Sequence, residues 1–504
     1  MAGCVTAVAL TVYVVTLAPG LTFANYGTDG GDLVAAARTL GIPHPSGYPT
    51  YTLLAWLFTQ LPIGVIAYRV NLLSAVCAAA AVGFFFLTAQ RLLPADEDRL
   101  PLAAAAALTL AFSSLLWSQA VISEVYALLM LFAALLLWLL VRWRDGGGDW
   151  LLWLAGLALG VGLGNHLTLL FFVPAALILL WPERRRWFRA RVLLPTVALF
   201  LLGLSVYAYL PLAARHRPLV NWGNPQTWKG FLWVVTGRQY QPFAFGLPLE
   251  QMPGRVAGWA KLLGDQFGWW GLAITLIGAW VWWQRDRAFG LFGLLWIGLV
   301  GVYAFFYDTG DSHMYLLPTV LLMALWWGQG AGSLLGQVPR LWSLRRPVAL
   351  VVLILLPLGS LALHWRAAEP DDDWQSQAYI HQVLEAVEPG GLIVVRDDRP
   401  TFALWYGLYA EGQRPDVAVV NGPLLAFLWY REQIRHSYPG IILNEPTAQE
   451  VTWHDLVHDL VVSNMSERRV YATDPSEEWK QWFSFVKEGD SPVYRVDTGP
   501  SPGS

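Results

Sequence analysis

The sequence predicts a polytopic α-helical membrane protein of about eleven spans, followed by an extracytoplasmic α/β domain. Three observations predict it. Apolar residues come in runs of about 20, the length a helix needs to cross a bilayer. Arginine is concentrated in alternate turns between those runs. After Arg366 the composition turns abruptly polar. The whole chain agrees: of 504 residues, 56% are hydrophobic and 14% charged, and the mean hydropathy is +0.44. That excludes an ordinary soluble domain. The 28 tryptophans suit a chain with many membrane–water interfaces. A net charge of −3 offers little to a polyanion, so the expected surroundings are a lipid bilayer and not a nucleic acid.

The runs lie near 3–22, 68–92, 100–118, 123–142, 150–164, 167–181, 192–212, 257–283, 289–307, 313–336 and 347–365. The first, "CVTAVALTVYVVTLAPGL", lacks a basic leader and a small-x-small cleavage site, and reads as a retained helix. Cys4 and Cys77 both fall in apolar runs and read as buried spectators. The turns "RWRDGGGDW", "PERRRWFRAR", "WWQRDRA" and "PRLWSLRR" are basic and are assigned to the cytoplasmic side. Alternation then puts 23–67, 113–123, 165–166, 213–256, 307–312 and everything after about 366 on the outside. This holds if "TYTLLAWLFTQLPIG" (50–64), short and bounded by Pro49 and Pro62, is interfacial or re-entrant and does not cross.

The chain thus divides into a transmembrane part, 1–366, and a soluble part, 367–504. In the latter, "GLIVV" and "DVAVV" are β-branched runs of buried-strand type. Between them "TFALWYGLYAEG" reads as a helix ended by Gly412, which makes one βαβ unit with a right-handed crossover. "WHDLVHDLVVSN" and "RRVYATD" predict a second helix and strand. There is no G-x-G-x-x-G to support a dinucleotide site, and no repeat of the inverted-transporter kind.

The polar residues worth attention all fall in the outward set. Asp29 and Asp32 open the segment "GGDLVAAARTL", where they can act as an N-cap and its partner or as free carboxylates. His44 sits in the rigid turn "HPSGYP". Glu124 suits the start of a helix, and Asn165 and His166 a tight turn. "VNWGNPQTWKGFLWVVTGRQY" carries Arg238 and Tyr240; Arg238 can grip a phosphate or a lipid headgroup. Trp222, Trp228 and Trp233 read as interfacial belt, or as a face on which a sugar stacks. Asp308, Asp311 and His313 bring oxygen and imidazole donors within six residues, a solvated loop or the beginnings of a divalent-metal site. No cofactor is assigned, and a divalent metal stays open. Five loops adding charge to one face argue for a shared wet site, since a lone charge in hydrocarbon costs roughly 2.5–3.5 kcal/mol.

Several stretches carry a family resemblance. "TDGGDLVAAARTLGIPHPSGYPTY" is similar to the D-x-G-E, helix, H-P-P-G-x-P pattern of the first loop of the DUF2723 family, multi-span proteins related to protein O-mannosyltransferases. "SEVYALLMLF", "GLGNHLTLLFFVPA", "VNWGNPQTWKGFLWVVTGRQY", "YDTGDSHMYLLP" and the tail segment "LWYGLYAEGQRPDVAVVNGPLLAFLWY" extend the match over nearly the whole chain. Asp32 stands where that family has Glu, and Ser46 where it has a second Pro. The resemblance implies a GT-C glycosyltransferase that takes mannose or another hexose from a polyprenyl-phosphate donor and gives it to a hydroxyl of a protein or glycan acceptor outside the cytoplasm. It implies Asp29, Asp32 and Glu124 as catalytic residues. His44, Asn165, His166, Arg238, Tyr240, Asp311 and His313 would then bind substrate. A transporter or flippase of lipid-linked glycans would use the same groups without a committed base, and a non-catalytic receptor would use the tail alone.

Overall fold

The structure, a computed structural model, describes residues 1–94, 98–337, 345–446 and 451–499. The basic turn "PRLWSLRR" lies outside the described residues except where the helix Arg345–Ala368 begins.

Each apolar run falls on a helix. By length and hydropathy, five helical segments among the described residues can cross a membrane: Ile66–Leu92, Tyr126–Arg144, Leu167–Trp187, Ala190–Arg215 and Arg287–Phe306. The pair Arg99–Ala111 and Ser114–Ala120, bent by 63°, makes a sixth if it is one span. The expectation of about eleven spans therefore exceeds what these lengths support. Ala2–Val15 and Trp150–Leu163 are short, and Met252–Arg285 has a first half broken by Arg255, Lys261 and Asp265 and a kink at Gly268. The segment 50–64 forms the helix Pro49–Thr59, whose 11 residues are too few to cross. Close crossings are built on small residues, as membrane helices require. A Cβ at Gly278 would meet the Trp326 carbonyl, and one at Gly330 the Ile274 carbonyl. Cys77 is buried, but Cys4 is exposed, because Ala2–Val15 buries only the stripe Val5, Ala9 and Tyr13.

The arginine-rich turns meet at one end of the bundle. Arg144 pairs with Asp286 (3.0 Å) and Glu183 (3.6 Å), Arg186 with Asp149 (2.7 Å), and Arg91 with Asp145 (3.4 Å). Partly exposed pairs of this kind add little stability, but they place three turns side by side.

Past the helix Arg345–Ala368 the chain builds a five-stranded sheet: β1 (Leu392–Val395), β2 (Ala418–Asn421), β3 (Val470–Ala472), β4 (Phe483–Lys487) and β5 (Tyr494–Thr498), in the order β2-β1-β3-β5-β4. β1 runs parallel to β2 and β3, as the βαβ reading requires, and β5 is antiparallel to β3 and β4. The helix Asp398–Trp405 continues as a wider turn, Tyr406–Ala410, and stops before Gly412, whose φ of +70° suits glycine. The predicted second helix is Trp453–Asn464, started by a Thr452–Asp455 capping box.

This α/β unit is docked on the bundle. The Ile66 N–H donates to Glu411 Oε1 (3.0 Å), and the Thr22 hydroxyl to Asp373 Oδ2. Helix Asp398–Trp405 lies so close to helix Gly30–Thr39 that a Cβ at Gly31 would collide with the Phe402 carbonyl. Gly31→Val is therefore expected to destabilise the protein by about 1–3 kcal/mol through overpacking. Its first sign should be faster proteolysis at 366–375, where the α/β unit leaves the bundle; wild-type cleavage kinetics would show that the contact does not hold the two together.

Candidate active site

Five turns and one residue of the α/β unit enclose a cavity of about 580 Å³. Asp29, His44, Glu124, His166, Tyr240 and Asp311 line it, so six of the residues singled out from the sequence converge there. Tyr126 lines it at one end of Tyr126–Arg144, while Arg144 at the other end belongs to the ion-paired basic turns. The helix's 19 residues separate those ends by about 27 Å.

Asp29 ends a tight turn and precedes helix Gly30–Thr39, yet its side chain makes no capping bond. Nor does Asp32 serve as a cap partner. Asp32 is completely buried; its Oδ2 accepts from the His44 backbone N–H (2.9 Å) and from Nδ1 (2.8 Å), and its Oδ1 from Trp222 Nε1 (3.0 Å). This clamp turns His44 Nε2 toward Asp29 Oδ2, 3.6 Å away. Three groups thus stand in line: a buried carboxylate, an imidazole, and a carboxylate with 39% of its side chain open. Asp32 itself does not line the cavity.

The charges follow from the geometry. Burial raises the Asp29 carboxyl to about 6; the His44 cation opposes the rise, and Asp311, Asp398 and Asp32 add to it. Burial works against the His44 cation, but Asp29 and Asp32 outweigh it and lift the imidazole to about 9. Near neutral pH the arrangement is an imidazolium between two carboxylates, the outer of which is a stronger base than a free aspartate. His166 goes the other way: burial pushes it down to about 4, so its ring is neutral. Its Nδ1 accepts from the Thr168 N–H (3.3 Å), which leaves the ring proton on Nε2. The reading of His166 as a turn cap is what the structure shows, and the same ring also faces the cavity.

The remaining residues are placed as follows. Glu124 is 4% exposed and lines the cavity, with Oε2 accepting from the Val125 N–H (3.3 Å). Asn165 does not reach the cavity; it is fully buried, and its Nδ2 donates to the Val125 carbonyl (3.1 Å), holding the turn that carries Glu124. Asp311 accepts from the Tyr126 hydroxyl (3.1 Å). His313 is outside the lining, edge-on to Tyr26 at 4.7 Å, and Asp308 stands 4.0 Å from Arg255. The donors of "YDTGDSHM" therefore diverge, and among the described residues no group of three His, Cys, Asp or Glu side chains could hold a metal ion. Arg238 lies on the turn whose neighbours Gly237 and Tyr240 line the cavity; it is exposed and has no ion pair among the described residues. Arg69 is spent on the carbonyls of Thr59, Ile63 and Gly64 (2.7–3.0 Å). Trp222 is not interfacial: it is buried against Phe402, Trp405 and Trp429.

Sequence reasoning missed two features. One is a set of tyrosines: Tyr26, Tyr48, Tyr126, Tyr303, Tyr307 and Tyr315 line the cavity beside Tyr240, with Tyr126 and Tyr315 both within 6 Å of the His166 ring. They carry no charge, so the charge that singles out the other polar residues does not mark them. The other is Asp398, contributed by the α/β unit. Only the acidic pair after β1 hinted at it.

With this geometry the chain can be compared with known proteins. Residues 29–187 match the family model of the protein O-mannosyl-transferase TMEM260 N-terminal domain, and 376–498 that of TMEM260-associated domain 2. The chain is similar to the TMEM260 proteins. It is 27% identical over 444 residues to the protein O-mannosyl-transferase TMEM260 of Mus musculus, covering 82% of this chain and 62% of that one. It is 23% identical over 521 residues to the Dictyostelium discoideum tmem260 protein O-mannosyl-transferase, covering 91% and 62%. The chain therefore spans about three-fifths of the length of these relatives. Its fold is that of ArnT from Cupriavidus metallidurans: the structure bound to undecaprenyl phosphate superposes with a TM-score of 0.61 at 12% identity, over 98% of this chain and 97% of the other. The apo structure of that protein gives 0.60. The chain is thus an integral membrane protein with a C-terminal mixed α/β unit.

The clamp makes a direct prediction. Asp32→Ala leaves the His44 cation and the Trp222 N–H without their buried partner and is expected to cost about 3–5 kcal/mol. Unfolding of the purified variant measures this; a loss below about 1 kcal/mol would show that Asp32 does not hold the site.

Proposed function

We propose that this chain is a membrane glycosyltransferase of the protein O-mannosyltransferase type, moving a mannosyl unit from a polyprenyl-phosphate donor to a hydroxyl of a protein acceptor on the outer side of the membrane. The observation that carries this reading is the Asp32–His44–Asp29 line, whose open carboxylate faces a tyrosine-lined cavity. Likeness to two proteins named as protein O-mannosyl-transferases supports the reaction, and a fold shared with an undecaprenyl-phosphate-bound protein supports the donor class. The outward side is supported by the distance between the cavity and the basic turns. On this reading residues 1–366 form the membrane part and 367–504 the extracytoplasmic part. The shorter apolar helices add to the spans counted by length, toward the eleven expected.

Asp29 takes the proton of the acceptor hydroxyl as its oxygen attacks the anomeric carbon. The bond from that carbon to the phosphate oxygen breaks, and its electron pair leaves with the phosphate. One displacement inverts the centre. His44, held by Asp32, keeps Asp29 ionised and aimed. The neutral His166 and the tyrosines offer N–H and O–H donors to sugar hydroxyls and ring faces to the sugar's C–H groups. Glu124 and Asp311 accept from sugar hydroxyls. No lysine or arginine lines the cavity among the described residues. Arg238, free at its rim, is the group we assign to the leaving phosphate.

The test is reconstitution in proteoliposomes with polyprenyl-phosphate mannose and a Ser/Thr-containing peptide. Mannosylated peptide is expected, and intact donor moved across the bilayer without bond cleavage would identify a flippase. Asp29→Asn is expected to lower kcat about 10²–10⁴-fold; full turnover would remove Asp29 as the base. In the wild type kcat/KM should rise with pH near 6, as Asp29 loses its proton, and fall near 9, as His44 loses the charge that partners both carboxylates. A profile flat from pH 5 to 10 would contradict both roles.

A further inference from the structure

The small sheet presents its topological switch point to the cavity. β1 lies between β2 and β3 and is parallel to both, so the chain leaves β1 toward one side and later returns on the other. In open α/β sheets, ligands bind beyond the carboxyl ends of the strands at such a reversal. The residues immediately past β1 are Arg396, Asp397 and Asp398, and Asp474 lies just past β3. Arg396 is occupied, by Asp474 at 2.5 Å and Asp397 at 3.5 Å. Asp398 has no hydrogen bond or ion pair among the described residues, and it lines the cavity with Asp29 and His44.

Its position is held firmly. Phe402, one turn along the same helix face, stacks on the His44 ring at 6.4 Å and packs on Trp222 at 6.3 Å, while its carbonyl closes against Gly31. The α/β unit therefore adds a free carboxylate to a cavity otherwise built by the bundle.

We propose that Asp398 is the acceptor-holding carboxylate of this site, accepting hydrogen bonds from backbone N–H or hydroxyl groups of a peptide whose own hydroxyl is presented to Asp29. The inference rests on the transferase reading above. A carboxylate repels the donor's phosphate, so Asp398 does not hold that group; the element that carries it tells which side of the cavity it serves. Tyr126 and Tyr303 of the same cavity are carried by apolar helices of the bundle, where an isoprenoid chain would lie, whereas Asp398 comes from the unit outside the membrane, from which a protein acceptor must approach.

Two measurements on the full chain test this. In proteoliposomes with polyprenyl-phosphate mannose and a Ser/Thr peptide, Asp398→Ala is expected to raise the peptide KM about ten- to a hundredfold while the donor KM stays within about twofold. Asp398→Asn, which keeps an oxygen acceptor, should recover part of the loss, and Asp397→Ala, one residue away and outside the cavity, should behave as wild type. An unchanged peptide KM, or equal rises in both KM values, would overturn the proposal. The second measurement is anisotropy of the same peptide, fluorescently labelled, with no donor present. Binding weakened by Asp398→Ala supports the proposal even if no mannose is transferred, in which case it is the transferase reading that fails. Binding indifferent to Asp398 overturns the proposal whether or not turnover occurs.

Discussion

The buried carboxylate of Asp32 is the constraint on which the site depends. It is closed off from solvent and receives three N–H groups, two from His44 and one from Trp222. A buried charge is tolerated only when it is paired and hydrogen-bonded. Meeting that demand joins residues 12 and 190 positions apart in the chain. The first turn is thereby folded back on itself, and the long segment after helix Tyr209–Arg215 is drawn under it. The Trp222 ring, oriented by the same bond, then becomes the floor on which Phe402, Trp405 and Trp429 of the α/β unit pack. One ionised group thus sets both the direction of the imidazole and the seat of the second unit.

The chemistry of the cavity grows from unequal environments of like groups. His44 sits between carboxylates and holds its proton; His166, buried without a direct carboxylate partner, loses it. Asp32 spends the three hydrogen bonds it accepts on structure, while Asp29, beside the same imidazole, keeps an open face. Separate values for neighbouring titratable groups let one site both take and offer protons at one pH. The tyrosines complete it, since their hydroxyls donate without adding charge to a cavity already rich in acids.

Much of this was legible in the sequence because charge is costly in hydrocarbon and so stands out there. Asp29, His44, Glu124, His166, Tyr240 and Asp311 stood out as polar residues in the outward segments between apolar runs, and they converge. Of the two readings open for Asp29 and Asp32, capping is not the one realised: neither side chain caps the helix, and Asp32 binds His44, a tertiary partner, in place of the local N–H groups. Asn165 and His313 carry the same signal, but their side chains are turned to the Val125 carbonyl and the Tyr26 ring. Tyr303, Tyr307 and Tyr315 were invisible, since an uncharged tyrosine in or beside an apolar helix does not stand out until its neighbours are known.

The sequence by itself determined the helical bundle, the alternation of basic and acidic turns, the βαβ start of the tail and the identity of most polar groups in the cavity. Each follows from local facts: the length of an apolar run, the charge of a turn, the period of a strand. Tertiary structure alone decided which carboxylate is buried and which is open, that Trp222 faces inward, and that Asp398 joins residues more than 350 positions earlier in the chain. These depend on close packing between distant segments, and no local pattern records which surfaces will meet.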